Sequence, residues 1–94
     1  MPVAMIFDLP GMTQAHYDQI RSAVAPGNQS RDISPGLLYH VAGPTDGGWR
    51  VIEVWESQEV ADQFFQEKLA PAFQQANVPG TQPQVFPVHN TMQP

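Results

Sequence analysis

Three histidines, a carboxylate flanked by tryptophans and two tyrosines are the side chains of this 94-residue chain best suited to acid–base chemistry. His40 sits in the apolar run LLYHV, where a ring nitrogen must be hydrogen-bonded and is placed to act as a general base. Its plainer alternative is a histidine satisfied by a backbone carbonyl or exposed at a sheet edge. Glu53 stands between Trp49 and Trp55 in GGWRVIEVWESQE. A carboxylate in an apolar setting is a recurrent acid or base; here the alternative is an ion pair or a cross-strand hydrogen bond. His89 in PVHN and Tyr17 in QAHYDQ complete the candidate catalytic set, against the alternatives of a surface histidine and a core aromatic. His16, next to Tyr17, reads as a solvated helix residue. Phe7, Tyr39, Trp49, Trp55, Phe64 and Phe65 are candidates to line an apolar substrate site, although aromatics at helical spacing are core residues first.

Bulk properties narrow the classes of function. The chain has no cysteine, so thiolate chemistry and a disulfide framework are excluded, and any zinc site would need His and carboxylate ligands. Net charge is −5, with only Arg21, Arg31, Arg50 and Lys68 on the basic side. Binding to a phosphate backbone needs a basic patch, so nucleic acid is not the expected partner. No apolar run approaches the roughly 20 residues of a membrane span, and the N-terminus lacks the pattern of a signal peptide. A cytoplasmic location is expected, with no membrane partner. G-x-S-x-G, H-E-x-x-H, Walker and G-x-G-x-x-G patterns are absent.

The elements that must position these residues can be read in order, as one domain over 1–94. VAMIFDL (3–9), ended by Pro10-Gly11, reads as a strand buried on both faces. Thr13 is a good N-cap for the helix QAHYDQIRSAV, with Met12 and Tyr17 at the two positions of a hydrophobic staple. Pro26-Gly27 should stop that helix, and NQSRDIS (28–34) reads as loop. GLLYHVAG (36–43) and WRVIEVWE (49–56) are strands joined by the turn PTDGG (44–48) as a hairpin. Ser57 caps a second helix whose apolar residues run from Val60 to Ala76, and Pro71 should end or kink it near Leu69-Ala70. NVPGTQP (77–83) is a linker, and QVFPVHN (84–90) is the last strand.

The order β-α-β-β-α-β is the ferredoxin-like α+β pattern, a four-stranded antiparallel sheet of order 4-1-3-2 with two helices on one face. Pro87 in the fourth strand suits an edge. In that order His40 and His89 lie on opposite edges, about 14 Å apart at ~4.8 Å per strand gap, so one subunit does not bring them to one metal. Two helices cover one face of such a sheet, yet strands one and three are apolar on both faces. An uncovered apolar face marks a partner surface, and a second copy is the simplest cover.

Glu53-Val54-Trp55 at the end of the third strand, the Ser57 cap and the helix VADQFFQEKLAPAF resemble the dimeric α+β barrel proteins. The likeness is strongest to the antibiotic biosynthesis monooxygenase-like group. That resemblance implies a homodimer and includes cofactor-free oxygenases of polycyclic phenols and quinols, haem-degrading enzymes, lactone isomerases and chlorite dismutase relatives. The haem-degrading members carry Trp and His on the second helix and Asn on the first strand. The matching places here hold Phe64 and Gln74, and strand one offers only Asp8, which argues against haem. The oxygenases use Trp, Asn, Tyr or Arg around a planar aromatic, for which this chain offers Trp55, Tyr17 and Tyr39, with no matching Asn or Arg.

The expected function is a small enzyme without a bound cofactor or metal, acting on an apolar or aromatic small molecule. An oxygenase is the leading form. An isomerase or lyase using a His or Glu base is the alternative, as is a non-catalytic dimeric binding or stress-response protein. In that last case no pocket would lie beside His40.

Overall fold

A computed structural model describes residues 1–24 and 33–92. The expected stop at Pro26-Gly27 and most of the loop 28–34 lie outside them. The described elements are β1 (Val3–Pro10), α1 (Gln14–Val24), β2 (Leu37–Thr45), β3 (Gly48–Trp55), α2 (Gln58–Phe64), a π-helical segment (Phe65–Leu69), α3 (Ala70–Ala76) and β4 (Gln84–Pro87). The strands form one antiparallel sheet in the order β2-β3-β1-β4, which is the α+β architecture expected from the element order.

Local chemistry explains the element ends. The Thr13 hydroxyl accepts from the His16 backbone N–H at 3.2 Å, and the Thr13 N–H donates to His16 Nδ1 at 3.3 Å. His16 thus completes a reciprocal cap of α1, in the manner of a capping box. Ser57 accepts from the Val60 N–H at 3.3 Å and starts α2. The hairpin turn is tighter than the sequence suggested. Strand pairing runs through Pro44 and Thr45, and only Asp46-Gly47 form the turn, with Gly47 at φ +82°. Gly48 permits a close crossing, since a Cβ there would lie 2.6 Å from the Leu9 carbonyl oxygen.

Pro71 does not end the second helix. The chain widens into the π segment, where the Ala70 N–H reaches back five residues to the Phe65 carbonyl, and helix resumes to Ala76. Proline has no N–H to give and its ring crowds the carbonyl four residues back. A wider turn just before it accommodates both, so the irregularity falls at the expected Leu69-Ala70 junction without ending the helix. Asn77 in the left-handed region (φ 56°) closes the run.

The core lies between the sheet and the helices: Met5, Phe7 and Leu9 of β1, Trp49, Val51 and Trp55 of β3, Ile20 of α1, and Ala61, Phe64 and Ala72 of the second helical run. Each large apolar side chain buried there contributes about 1.5–3 kcal/mol. The opposite face has no cover in the protomer. β1 is therefore not buried on both faces: Ile6 is half-buried and Asp8 is exposed, its carboxylate accepting from Arg50 Nε across the strand pair at 2.6 Å. Among the described residues no helix is long and apolar enough to cross a membrane.

Candidate active site

The hairpin places His40 opposite Glu53, and their side chains project to the helix-covered face. A bulge makes this possible. Leu37 and His40 are three apart, so plain alternation would send them to opposite faces. The register shift between Leu37 and Tyr39 inserts Leu38, and both Leu37 and His40 point inward. α1 crosses above them with Tyr17 turned down.

The result is a continuous hydrogen-bonded chain. The Trp55 indole Nε1–H donates to Glu53 Oε1 at 3.0 Å. Glu53 Oε2 lies 2.8 Å from His40 Nδ1, and His40 Nε2 lies 2.6 Å from the Tyr17 hydroxyl. A carboxylate only accepts, so it draws the imidazole proton to Nδ1. The lone pair of Nε2 then accepts from Tyr17 O–H. Trp55 is fully buried and its ring meets that of Phe64 at a tilt, centres 5.3 Å apart, so the anchor of the chain is packed in place. Tyr17 stacks on Trp49 with ring centres 5.4 Å apart. The Trp49 indole N–H is buried and has no partner among the described residues. Burial raises the pKa of the Tyr17 hydroxyl, an effect that the nearby Arg21 opposes and the Glu53 charge reinforces. Tyr17 therefore remains a proton donor at neutral pH.

This chain borders an apolar cavity of about 60 Å³ between sheet and helices. Its polar wall is Tyr17, His40, Glu53 and Arg21; Phe7, Leu9, Val51, Phe64, Leu69 and Phe73 are among the apolar ones. Arg21 was missed in the sequence. The signal was its spacing, since Tyr17, Ile20, Arg21 and Val24 share one face of α1 and all four line the cavity.

Of the sequence candidates, Tyr17, His40, Glu53, Phe7 and Phe64 meet at this cavity. Trp49 and Trp55 stand behind it, supporting Tyr17 and Glu53. Phe65 instead lines a neighbouring groove. Tyr39 is turned the other way by the bulge and is exposed on the open face of the sheet. His89 lies past the end of β4, exposed, beside Tyr39 and Val54 in a shallow groove at that open face. Neither is near His40's ring, so neither joins the cavity. Among the described residues no group of three or more His, Asp or Glu side chains is placed to hold a metal ion.

No protein-family model matches this chain, and no curated protein matches it either.

Proposed function

We propose that this chain is a small enzyme that takes a proton from an apolar or aromatic small molecule, in the form of a cofactor-independent oxygenase of the antibiotic biosynthesis monooxygenase type. The observation that carries the reading is the Glu53–His40–Tyr17 chain set in the wall of an apolar cavity. A base oriented by a carboxylate on one nitrogen and bonded on the other to a hydroxyl that can relay a proton is suited to proton abstraction. A cavity beside His40 also favours an enzyme over a dimer with a filled core.

In the proposed reaction the acidic group of a phenol, quinol or anthrone meets Tyr17 and His40. His40 Nε2 takes the proton, directly or through the Tyr17 hydroxyl, and Glu53 stabilises the imidazolium. The electron-rich anion reduces dioxygen and a carbon–oxygen bond forms. The resulting peroxide is protonated from His40 and loses water, leaving a carbonyl. For an anthrone, one oxygen atom ends in the new carbonyl and the other in water, with both hydrogens of the reacting carbon removed. An isomerase or lyase would form the same anion without dioxygen, and the same chain of residues would serve it.

The same reading includes a homodimer. Val41 (63% exposed), Phe86 (50%), Ile52 and Tyr39 form an apolar patch on the open face, and a second copy is its proposed cover. A cytoplasmic location is part of the reading too, consistent with a cysteine-free chain that needs no oxidising compartment.

The test is oxygen uptake by the metal-stripped protein with anthrones, quinols and catechols, beside His40→Ala and Glu53→Ala. Protein-dependent uptake should fall at least about 100-fold in His40→Ala. Absence of uptake rejects the oxygenase. Protein-dependent exchange of substrate hydrogen in deuterated water, without uptake, would then assign the isomerase or lyase.

A further inference from the structure

The cavity beside His40 is too small for the substrates that its chemistry suits. It measures about 60 Å³, whereas a cavity that admits benzene measures about 150 Å³. A second space adjoins it. An apolar groove of about 360 Å³ runs between β1, the π segment and the linker 80–83. Phe7, Leu69 and Phe73 line both spaces, so these three side chains stand between them.

The partition has features of a movable wall. Leu69 and Phe73 are only half-buried. Leu69 ends the π segment, an irregularity that recurs at functional sites because it shifts side chains off the regular helical register. On the groove side, Phe73 rests against the backbone of Gly80, where an added Cβ would sit 3.4 Å from its ring. Phe65 borders the same groove and meets Phe7 edge-on at 5.3 Å.

Resting on the reading of the cavity as a substrate site, we infer that Leu69 and Phe73 are a movable partition and that the groove beneath Gly80 is the second half of that site. The substrate is then a flat molecule of at least two fused rings. Its acidic oxygen lies at Tyr17 and His40, and its distal ring lies between Phe65, Phe73 and Gly80. Leu69, Phe73 and Gly80 set the length of molecule accepted.

Binding of phenol, 2-naphthol and 9-phenanthrol, measured calorimetrically under nitrogen, tests this without turnover. Affinity should rise at least about tenfold from phenol to 9-phenanthrol, as more apolar surface is buried. Gly80→Leu should weaken 9-phenanthrol at least about tenfold and phenol by no more than about threefold. If Gly80→Leu does not give a folded circular dichroism spectrum, Gln82→Trp on the groove's exposed rim takes its place with the same expectation. Phenol bound as tightly as 9-phenanthrol, or all three weakened alike by the groove variant, would overturn the inference. Binding of phenol and 9-phenanthrol that needs Tyr17 but is unchanged by the groove variant leaves the cavity reading standing and rejects the extension. No binding by any of the three rejects both.

Discussion

The two faces of β3 each carry one charge among apolar side chains, Glu53 on the helix-covered face and Arg50 on the open one, but in very different settings. On the helix-covered face Trp49, Val51, Glu53 and Trp55 are all buried, a carboxylate among them. On the open face Ile52 is 40% exposed and its cross-strand neighbour Val41 is 63% exposed. The difference lies in how the charge on each face is satisfied. Glu53 is tolerated in the core because both its oxygens are occupied, by Trp55 and by His40. That full satisfaction fixes the direction of the imidazole, which the proposed reaction requires. The open face carries the exposed Arg50–Asp8 ion pair beside an apolar patch, the patch that the proposed second copy would cover.

The contrast can be broken most severely at Trp55. Trp55→Ala should cost about 3–5 kcal/mol in urea unfolding, from a core cavity, and it also removes the donor to Glu53. Ile52→Ala, on the other face of the same strand, should cost under about 1.5 kcal/mol in the monomer. Equal costs would erase the distinction. Next comes Glu53→Leu. It leaves the Trp55 N–H and the His40 Nδ1–H without an acceptor, at about 1–3 kcal/mol for each orphaned group, read in the same unfolding experiment. Ile52→Glu should shift sedimentation from dimer to monomer while changing monomer stability by no more than about 0.5 kcal/mol. A protein that sediments as a monomer before mutation would remove the proposed role of the open face.

The smallest effect lies in alkaline pH. Tyr17 has its pKa raised in the folded protein, so the unfolded chain loses that proton first. Above the ordinary tyrosine value of 10.0 the unfolded state therefore binds fewer protons, and stability falls as pH rises. The stabilisation is complete below that value and is lost as pH climbs through the folded pKa. Tyr17→Phe should flatten this alkaline fall in unfolding free energy, and an unchanged slope would place Tyr17 in a solvated setting.

Much of the fold was legible because its signals are local. Thr13 and Ser57 announce their helices through backbone capping, and Asp46-Gly47 announces the hairpin. Alternation grouped Trp49, Val51, Glu53 and Trp55 on one face of β3 but left open which face the helices cover, because both faces are apolar. The meeting of His40 with Glu53 was not legible, for two physical reasons. A broad reading of the turn as 44–48 leaves the hairpin register open, whereas the observed two-residue turn pairs Thr45 with Gly48 and so His40 with Glu53. The bulge at Leu38 then turns Tyr39 outward, which no periodicity reports. Arg21 was hidden by its charge, since a cation on a helix is expected to face water. Pro71 marked where the helix loses its regular turn, at Leu69-Ala70, but not the form the irregularity takes, a π segment after which helix resumes.

The central claim is that His40 is held between Glu53 and Tyr17 as a base whose Nε2 lone pair accepts from the Tyr17 hydroxyl. Long-range proton–nitrogen correlation NMR on the imidazole of His40 tests it most directly. The prediction is the neutral tautomer protonated at Nδ1, with a slowly exchanging Nδ1–H, and loss of that state in Glu53→Gln. A His40 ring protonated at Nε2 in the wild-type protein, or exchanging freely between tautomers, would contradict it.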